Sequence, residues 1–129
     1  MQRQHAAKSR NTRQKAAIRE AFLQADRPLS PEEAVSLAKD AVEEVSLATV
    51  YRNIRTLVEE KWLIPVEVPG QSPRYEVAGK GHHHHFQCSR CGKLFDLAGC
   101  EASVKLKLPP GFLATGHEFF VYGKCAACR

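Results

Sequence analysis

Ser46-Leu-Ala-Thr-Val-Tyr-Arg-Asn-Ile-Arg-Thr-Leu-Val58 is the stretch that decides the fold. Ser46 is placed to cap a helix running through Leu47, Val50, Ile54, Leu57 and Val58, whose three-to-four spacing turns Val50, Ile54, Leu57 and Val58 inward. Thr49, Tyr51, Arg52, Asn53 and Arg55 are left for the opposite face. Arginine pairs with guanine edges or phosphates, asparagine with adenine, and tyrosine contacts a thymine methyl or donates to phosphate, so this face suits double-stranded DNA. A polar helix face is also common without any partner, so its neighbours have to decide.

Upstream, Ser30-Pro31-Glu32-Glu33 supplies an N-cap, a proline in the first turn and an acid at the third helical position. Ala34, Val35, Leu37, Ala38 and Val42 follow as an apolar face. Further back, Ala16, Ala17, Ile18, Ala21, Phe22 and Leu23 predict a helix of about 12 to 15 residues beginning near Asn11. Asp26-Arg27-Pro28 ends it. Downstream, the runs Leu63–Val68 and Arg74–Val77 flank the turn formers Pro69-Gly-Gln-Ser-Pro73 and read as a hairpin. Three helices and a hairpin form a winged helix-turn-helix, with the wing beside the reading helix.

Net charge is +5 over 129 residues, and its placement says more than its size. Arg3, Lys8, Arg10, Arg13, Lys15 and Arg19 precede the first acid, Glu20, which suits an arm lying on phosphates; a solvated terminus is the plainer alternative.

Beyond Ala78-Gly-Lys-Gly81 the composition changes to metal ligands. His82-His-His-His85-Phe-Gln-Cys88-Ser-Arg-Cys91-Gly92 holds a Cys-x2-Cys knuckle, and Cys125-Ala-Ala-Cys128 is a second one. Together they supply the four sulfurs of a closed tetrahedral zinc site. Alternation along a strand puts His83 and His85 on one face and His82 and His84 on the other. Strands are expected at Phe86–Cys88, Lys93–Leu97 and His117–Tyr122. The Gly99–Leu108 segment reads equally as helix or strand. Cys100 is either a small buried hydrophobe or a soft ligand, and the latter favours zinc over iron.

The five cysteines make an odd number, no apolar run reaches the roughly 20 residues of a membrane span, and no signal peptide precedes the basic start. We therefore expect a cytoplasmic protein with reduced thiols, no membrane association and no organic cofactor. A histidine-rich zinc site with a nearby acid could activate water, but no further catalytic constellation accompanies it, so an enzyme is not expected.

In this order, Thr12-Arg13-Gln14, Ala48-Thr49-Val50-Tyr51-Arg52, Arg74-Tyr75-Glu76, the His82–Lys93 run and Tyr122-Gly123-Lys124-Cys125-x2-Cys128 resemble the ferric-uptake-regulator family of bacterial metal-dependent transcription factors. The resemblance spans nearly the whole chain. It implies an α+β fold, with a winged-helix DNA-binding domain over residues 1–77 and a small α/β dimerisation domain carrying the zinc knuckle over residues 78–129. It further implies a homodimer on an inverted-repeat DNA operator, acting by family default as a repressor. Tyr51 and Arg52 would approach bases or backbone, and Arg13 and Lys15 would hold phosphates.

The resemblance also assigns ligands. Cys88, Cys91, Cys125 and Cys128 match the structural zinc of many members. Glu76, His83, His85 and Asp96 match a regulatory divalent metal (zinc, iron or manganese), and Cys100, which the family pattern does not supply, is an additional candidate from its own chemistry. His82, His84, His117 and Glu101 match a further site. Two departures bear on the metal: Arg27 stands where iron and peroxide sensors place a histidine, and the segment between Asp96 and Gly111 is short. Arg27 speaks against the iron-type site, the short segment brings in Cys100, and together Arg27 and Cys100 favour zinc slightly over iron or manganese. A constitutive DNA binder with purely structural zinc and a peroxide-sensing member are the alternatives.

Overall fold

The structure, a computed structural model, describes residues 2–98 and 107–129, with side chains from residue 10 onward. Cys100, Glu101, most of the ambiguous Gly99–Leu108 segment and the side chains of Arg3 and Lys8 lie outside the described residues. The chain divides into two compact units, Met1–Gly79 and Lys80–Arg129.

The first unit contains α1 (Gln2–Ala25), α2 (Pro31–Lys39), α3 (Leu47–Glu59) and the antiparallel pair β1 (Leu63–Val66) and β2 (Arg74–Val77). α1 runs for 24 residues and takes in the basic arm, starting well before Asn11. Gln, Arg, Ala and Lys are strong helix formers and neither Gly nor Pro interrupts them, a preference that tracing apolar residues alone misses. Its buried stripe is Ala17, Ile18, Ala21 and Phe22; Ala16 and Leu23, expected inside, are exposed. Leu37 of α2 is likewise exposed, while Val42 is buried just beyond the helix end.

α2 begins on a complete capping box. The Glu33 N–H donates to Ser30 Oγ at 3.1 Å, and the Ser30 N–H donates to Glu33 Oε1 at 3.1 Å. α3 is capped by Ser46, whose Oγ accepts from the Thr49 N–H at 3.2 Å. Val50, Ile54 and Leu57 turn into the core, joined there by Phe22, Leu29, Ala34, Ala38, Val45 and Leu63. A single bridge, Leu29 to Tyr75, adds a third edge to the wing through two backbone hydrogen bonds of 2.8 Å. This is a winged helix-turn-helix, and the bridge ties the wing to the loop before α2.

The second unit is a three-stranded sheet in the order β4-β3-β5, built from β3 (His84–Cys88), β4 (Leu94–Leu97) and β5 (Phe120–Gly123). β3 pairs antiparallel with β4 and parallel with β5. β5 starts later than the expected His117. Among the described residues this unit has strands and turns only, and its buried residues are His84, Gln87, Cys88 and Leu94. Gly123 lies against Phe86, where a Cβ would come within 3.1 Å of the ring, so a larger residue at this β5 position would require the ring to shift by a few tenths of an ångström. No described helix is long and apolar enough to cross a membrane.

Candidate metal centres and nucleic-acid interface

The four cysteines come together at one end of the sheet. Their sulfurs lie within 4.8 Å of one another, and Cys91 Sγ is 3.8 Å from Cys125 Sγ. Zinc–sulfur bonds of about 2.3 Å at tetrahedral angles separate sulfurs by about 3.8 Å, so the spacing fits a metal and excludes a disulfide. The first knuckle closes through the Cys88 N–H donating to the Lys93 carbonyl at 3.0 Å and the Gly92 N–H donating to the Cys88 carbonyl at 2.9 Å. Gly92 takes φ 77°, a conformation that favours glycine. The second knuckle closes through the Cys128 N–H donating to the Cys125 carbonyl at 3.0 Å.

Charge also fits this donor set. The backbone N–H groups of Cys125 and Cys91, each 3.4 Å from Cys88 Sγ, draw the Cys88 thiol down to about 5. Cys128 is pushed up to about 12, first by its hydrogen bond with the Cys125 thiol and then by burial. Four adjacent sulfurs cannot all ionise unaided, and a dication relieves that conflict.

A second group lies on the sheet face shared by His83, His85 and Asp96. The strand register sets His85 directly opposite Asp96. His85 Nε2 is 3.5 Å and His83 Nε2 is 3.6 Å from Asp96 Oδ1, with the two imidazole centroids 4.8 Å apart. His83 Nδ1 sits 2.9 Å from the Gly81 carbonyl oxygen. A carbonyl only accepts, so Nδ1 carries the proton and Nε2 keeps its lone pair for a metal. Lys80 Nζ holds Asp96 Oδ2 at 2.6 Å. Glu76 belongs to β2 of the first unit, where it is 1% exposed.

On the opposite face, the imidazole nitrogens of His82, His84 and His117 lie within 4.8 Å of one another. His82 and His84 approach to 3.2 Å through their Nε2 atoms, and His84 stacks on Phe119 with centroids 3.9 Å apart. Burial, followed by like charge on His82 and His117, holds the His84 pKa below its ordinary value and keeps the ring in its neutral, ligating form.

Arg27 has a structural task. It donates to Glu33 Oε2 at 2.8 Å and to the Pro28 carbonyl at 3.2 Å, so it anchors the capping box of α2. Burial opposes ionisation of Glu33, but the Ser30 N–H and the Arg27 guanidinium outweigh it and hold the carboxyl below the usual glutamate value.

On α3, Tyr51, Arg52 and Arg55 are exposed and line a groove beside Pro65 and Tyr75 of the wing. Arg13 and Lys15 are exposed on α1. Thr49 and Asn53 are half-buried and engaged locally: Asn53 Nδ2 donates to the Thr49 carbonyl at 2.9 Å, and Thr49 Oγ1 pairs with Ser46 Oγ at 3.0 Å. Arg19 lies over the Trp62 ring at 4.9 Å, so that cation of the arm is spent on packing. Sequence reasoning gave no role to Lys80, since one lysine between glycines forms no pattern.

A reading helix beside a wing, followed by a sheet whose two faces and end gather metal-type donors, defines the class of winged-helix metalloregulators. The chain belongs to the Ferric uptake regulator family, whose sequence model matches residues 6–109. The family is one of metal-responsive transcription regulators. The chain is 29% identical over 123 residues to the Ferric uptake regulation protein of Campylobacter jejuni, covering 92% of this chain and 78% of that one. The Vibrio cholerae ferric uptake regulator has the same fold at 25% identity, with a TM-score of 0.63 over 87% of this chain and 88% of that chain. FurB of Mycobacterium tuberculosis, a zinc uptake regulator, is 28% identical with a TM-score of 0.55 over 97% of this chain and 99% of that chain. Relatives are thus named for different metals, and family membership alone leaves the metal open.

Proposed function

We propose that this protein is a zinc-responsive, sequence-specific DNA-binding repressor that works as a homodimer on an inverted-repeat operator. The observation that carries the proposal is the grouping of His83, His85 and Asp96 apart from the four-cysteine cluster. Cys88, Cys91, Cys125 and Cys128 hold a structural zinc that pins the second knuckle to the first. His83, His85 and Asp96 hold the regulatory ion, with Glu76 as the fourth donor by resemblance to the family. The ion supplies positive charge that the four donors share, which favours one arrangement of the two units. Operator affinity rises only by the difference in metal affinity between that arrangement and the others. His82, His84 and His117 provide a further site.

One observation favours zinc. Arg27, where the resemblance expects a histidine in iron and peroxide sensors, is held on Glu33 and offers no ligand.

Tyr51, Arg52 and Arg55 read the operator, and Arg13 and Lys15 hold its phosphates. The exposed apolar residues Leu108, Phe112, Leu113, Val121 and Tyr122 of the second unit support a dimer surface. A two-fold dimer reads two half-sites and doubles the phosphate contacts. The test is a gel-shift on operator DNA in chelator and in graded zinc, iron and manganese. Metal-dependent retardation at the lowest free zinc supports the reading; full retardation in chelator contradicts it and favours a constitutive binder.

A further inference from the structure

The Lys80–Asp96 pair carries an inference that rests on the regulatory-site reading above. Asp96 divides its two oxygens between different neighbours. Oδ2 is held by Lys80 Nζ at 2.6 Å, and Oδ1 faces His85 Nε2 at 3.5 Å and His83 Nε2 at 3.6 Å. All four side chains are largely sheltered, with Lys80 at 22%, Asp96 at 21%, His83 at 12% and His85 at 13% exposure. A charge-assisted bond of this length in such shelter is not a loose surface pair that solvent screens away. Asp96 is further fixed by the β3–β4 register, which seats it opposite His85.

A carboxylate can give a metal one oxygen or two. With Oδ2 engaged by an ammonium, only Oδ1 remains directed at the imidazoles. Two imidazoles, one oxygen of Asp96 and one further donor make four ligands, the number at which zinc is satisfied. Manganese favours oxygen-rich octahedral sites and loses more when a second carboxylate oxygen is withheld. The lysine also places a positive charge near the ion and weakens binding of every dication.

We propose that Lys80 is a positioning residue that restricts Asp96 to one-oxygen coordination and so biases the His83/His85/Asp96 site toward a four-coordinate ion over ions that take five or six ligands. The contribution is to selectivity as well as to affinity. Lys80 does not ligate the metal; it acts through Asp96.

The test uses the full-length chain with the four-cysteine site filled with zinc. His82→Ala and His117→Ala are included so that added cobalt(II) reports on one site. In this background the intense visible band of tetrahedral cobalt is expected. Lys80→Met should replace it with the weak spectrum of five- or six-coordinate cobalt. It should also raise manganese affinity more than zinc affinity, narrowing the zinc preference by about tenfold, the scale on which groups behind the ligands act. Lys80→Arg, which keeps the ion pair, should restore the strong band and the original preference. A Lys80→Met protein with an unchanged spectrum, or with zinc and manganese affinities raised equally, overturns the proposal and shows that the lysine only repels cations. A weak spectrum before any change at Lys80 overturns it too. The underlying site is checked separately: cobalt binding that survives His83→Ala/His85→Ala refutes the site itself, whatever Lys80 does.

Discussion

The two units of this chain solve the same stability problem with different chemistry. The first buries Ile18, Phe22, Leu29, Val50, Ile54, Leu57 and Leu63 in a continuous apolar core. The second, among its described residues, buries only His84, Gln87, Cys88 and Leu94. Apolar burial contributes about 25 cal/mol per Å², so those four residues, two of them polar, contribute far less than the core of the first unit. Metal binding at a site absent from the unfolded chain adds to folding free energy. One unit is thus a packed winged helix and the other a sheet that gathers metal-type donors, and on the proposed function the first would bind DNA while the second responds to metal.

The comparison breaks most visibly at Cys88. Cys88→Ser removes one thiolate from the proposed structural zinc site, and zinc binding is worth about 10–16 kcal/mol in isolated zinc domains, far more than a unit of this size can lose. Two-dimensional NMR should then show the signals of residues 80–129 collapse while those of α1, α2 and α3 persist. Leu57→Ala probes the other side. Emptying a fully buried leucine position costs about 3–5 kcal/mol. Urea unfolding of the first unit should move to much lower denaturant, with zinc content of the cysteine site unchanged.

Smaller effects refine the reader. Arg52→Ala should weaken operator binding by about 1–3 kcal/mol and relax sequence preference, if the guanidinium reads a base edge. Arg13→Ala should weaken operator and random DNA alike and reduce the salt slope by about 1, as measured by titration at several salt concentrations. Smallest is the α2 cap. Ser30→Ala should cost about 1 kcal/mol in the first unit and leave the second unchanged. The folded-state pKa of Glu33 is lowered, so its contribution is fully present above the unfolded glutamate value and is lost as pH falls through the lowered folded value. Glu33→Gln should remove that acid-side loss from the urea midpoint measured against pH.

Much of this division was legible in the sequence because each unit follows a local rule. The Ser30–Glu33 box, the Ser46 cap and the Val50/Ile54/Leu57 stripe all appear as their spacing implies. The two Cys-x2-Cys pairs meet because ligand spacing is read without knowing the fold. What escaped lies where no local rule acts. The Leu29–Tyr75 bridge is one residue long and leaves no alternation to detect. Leu23 and Leu37 are apolar at helical spacing yet exposed, because the arc that periodicity allows is wider than the stripe the core covers. The local hydrogen bonds of Thr49 and Asn53, at the start of α3, also follow no pattern that spacing reveals. The Lys80–Asp96 pair joins residues sixteen positions apart, a pairing that tertiary structure alone supplies.

Operator binding by the His83→Ala/His85→Ala protein, with zinc retained in the four-cysteine site, tests the central claim most directly. The account predicts that the unaltered protein retards operator DNA only when zinc is added, and that the double variant fails to do so at any zinc level while its circular dichroism stays unchanged. A double variant that binds the operator fully in chelator would contradict it.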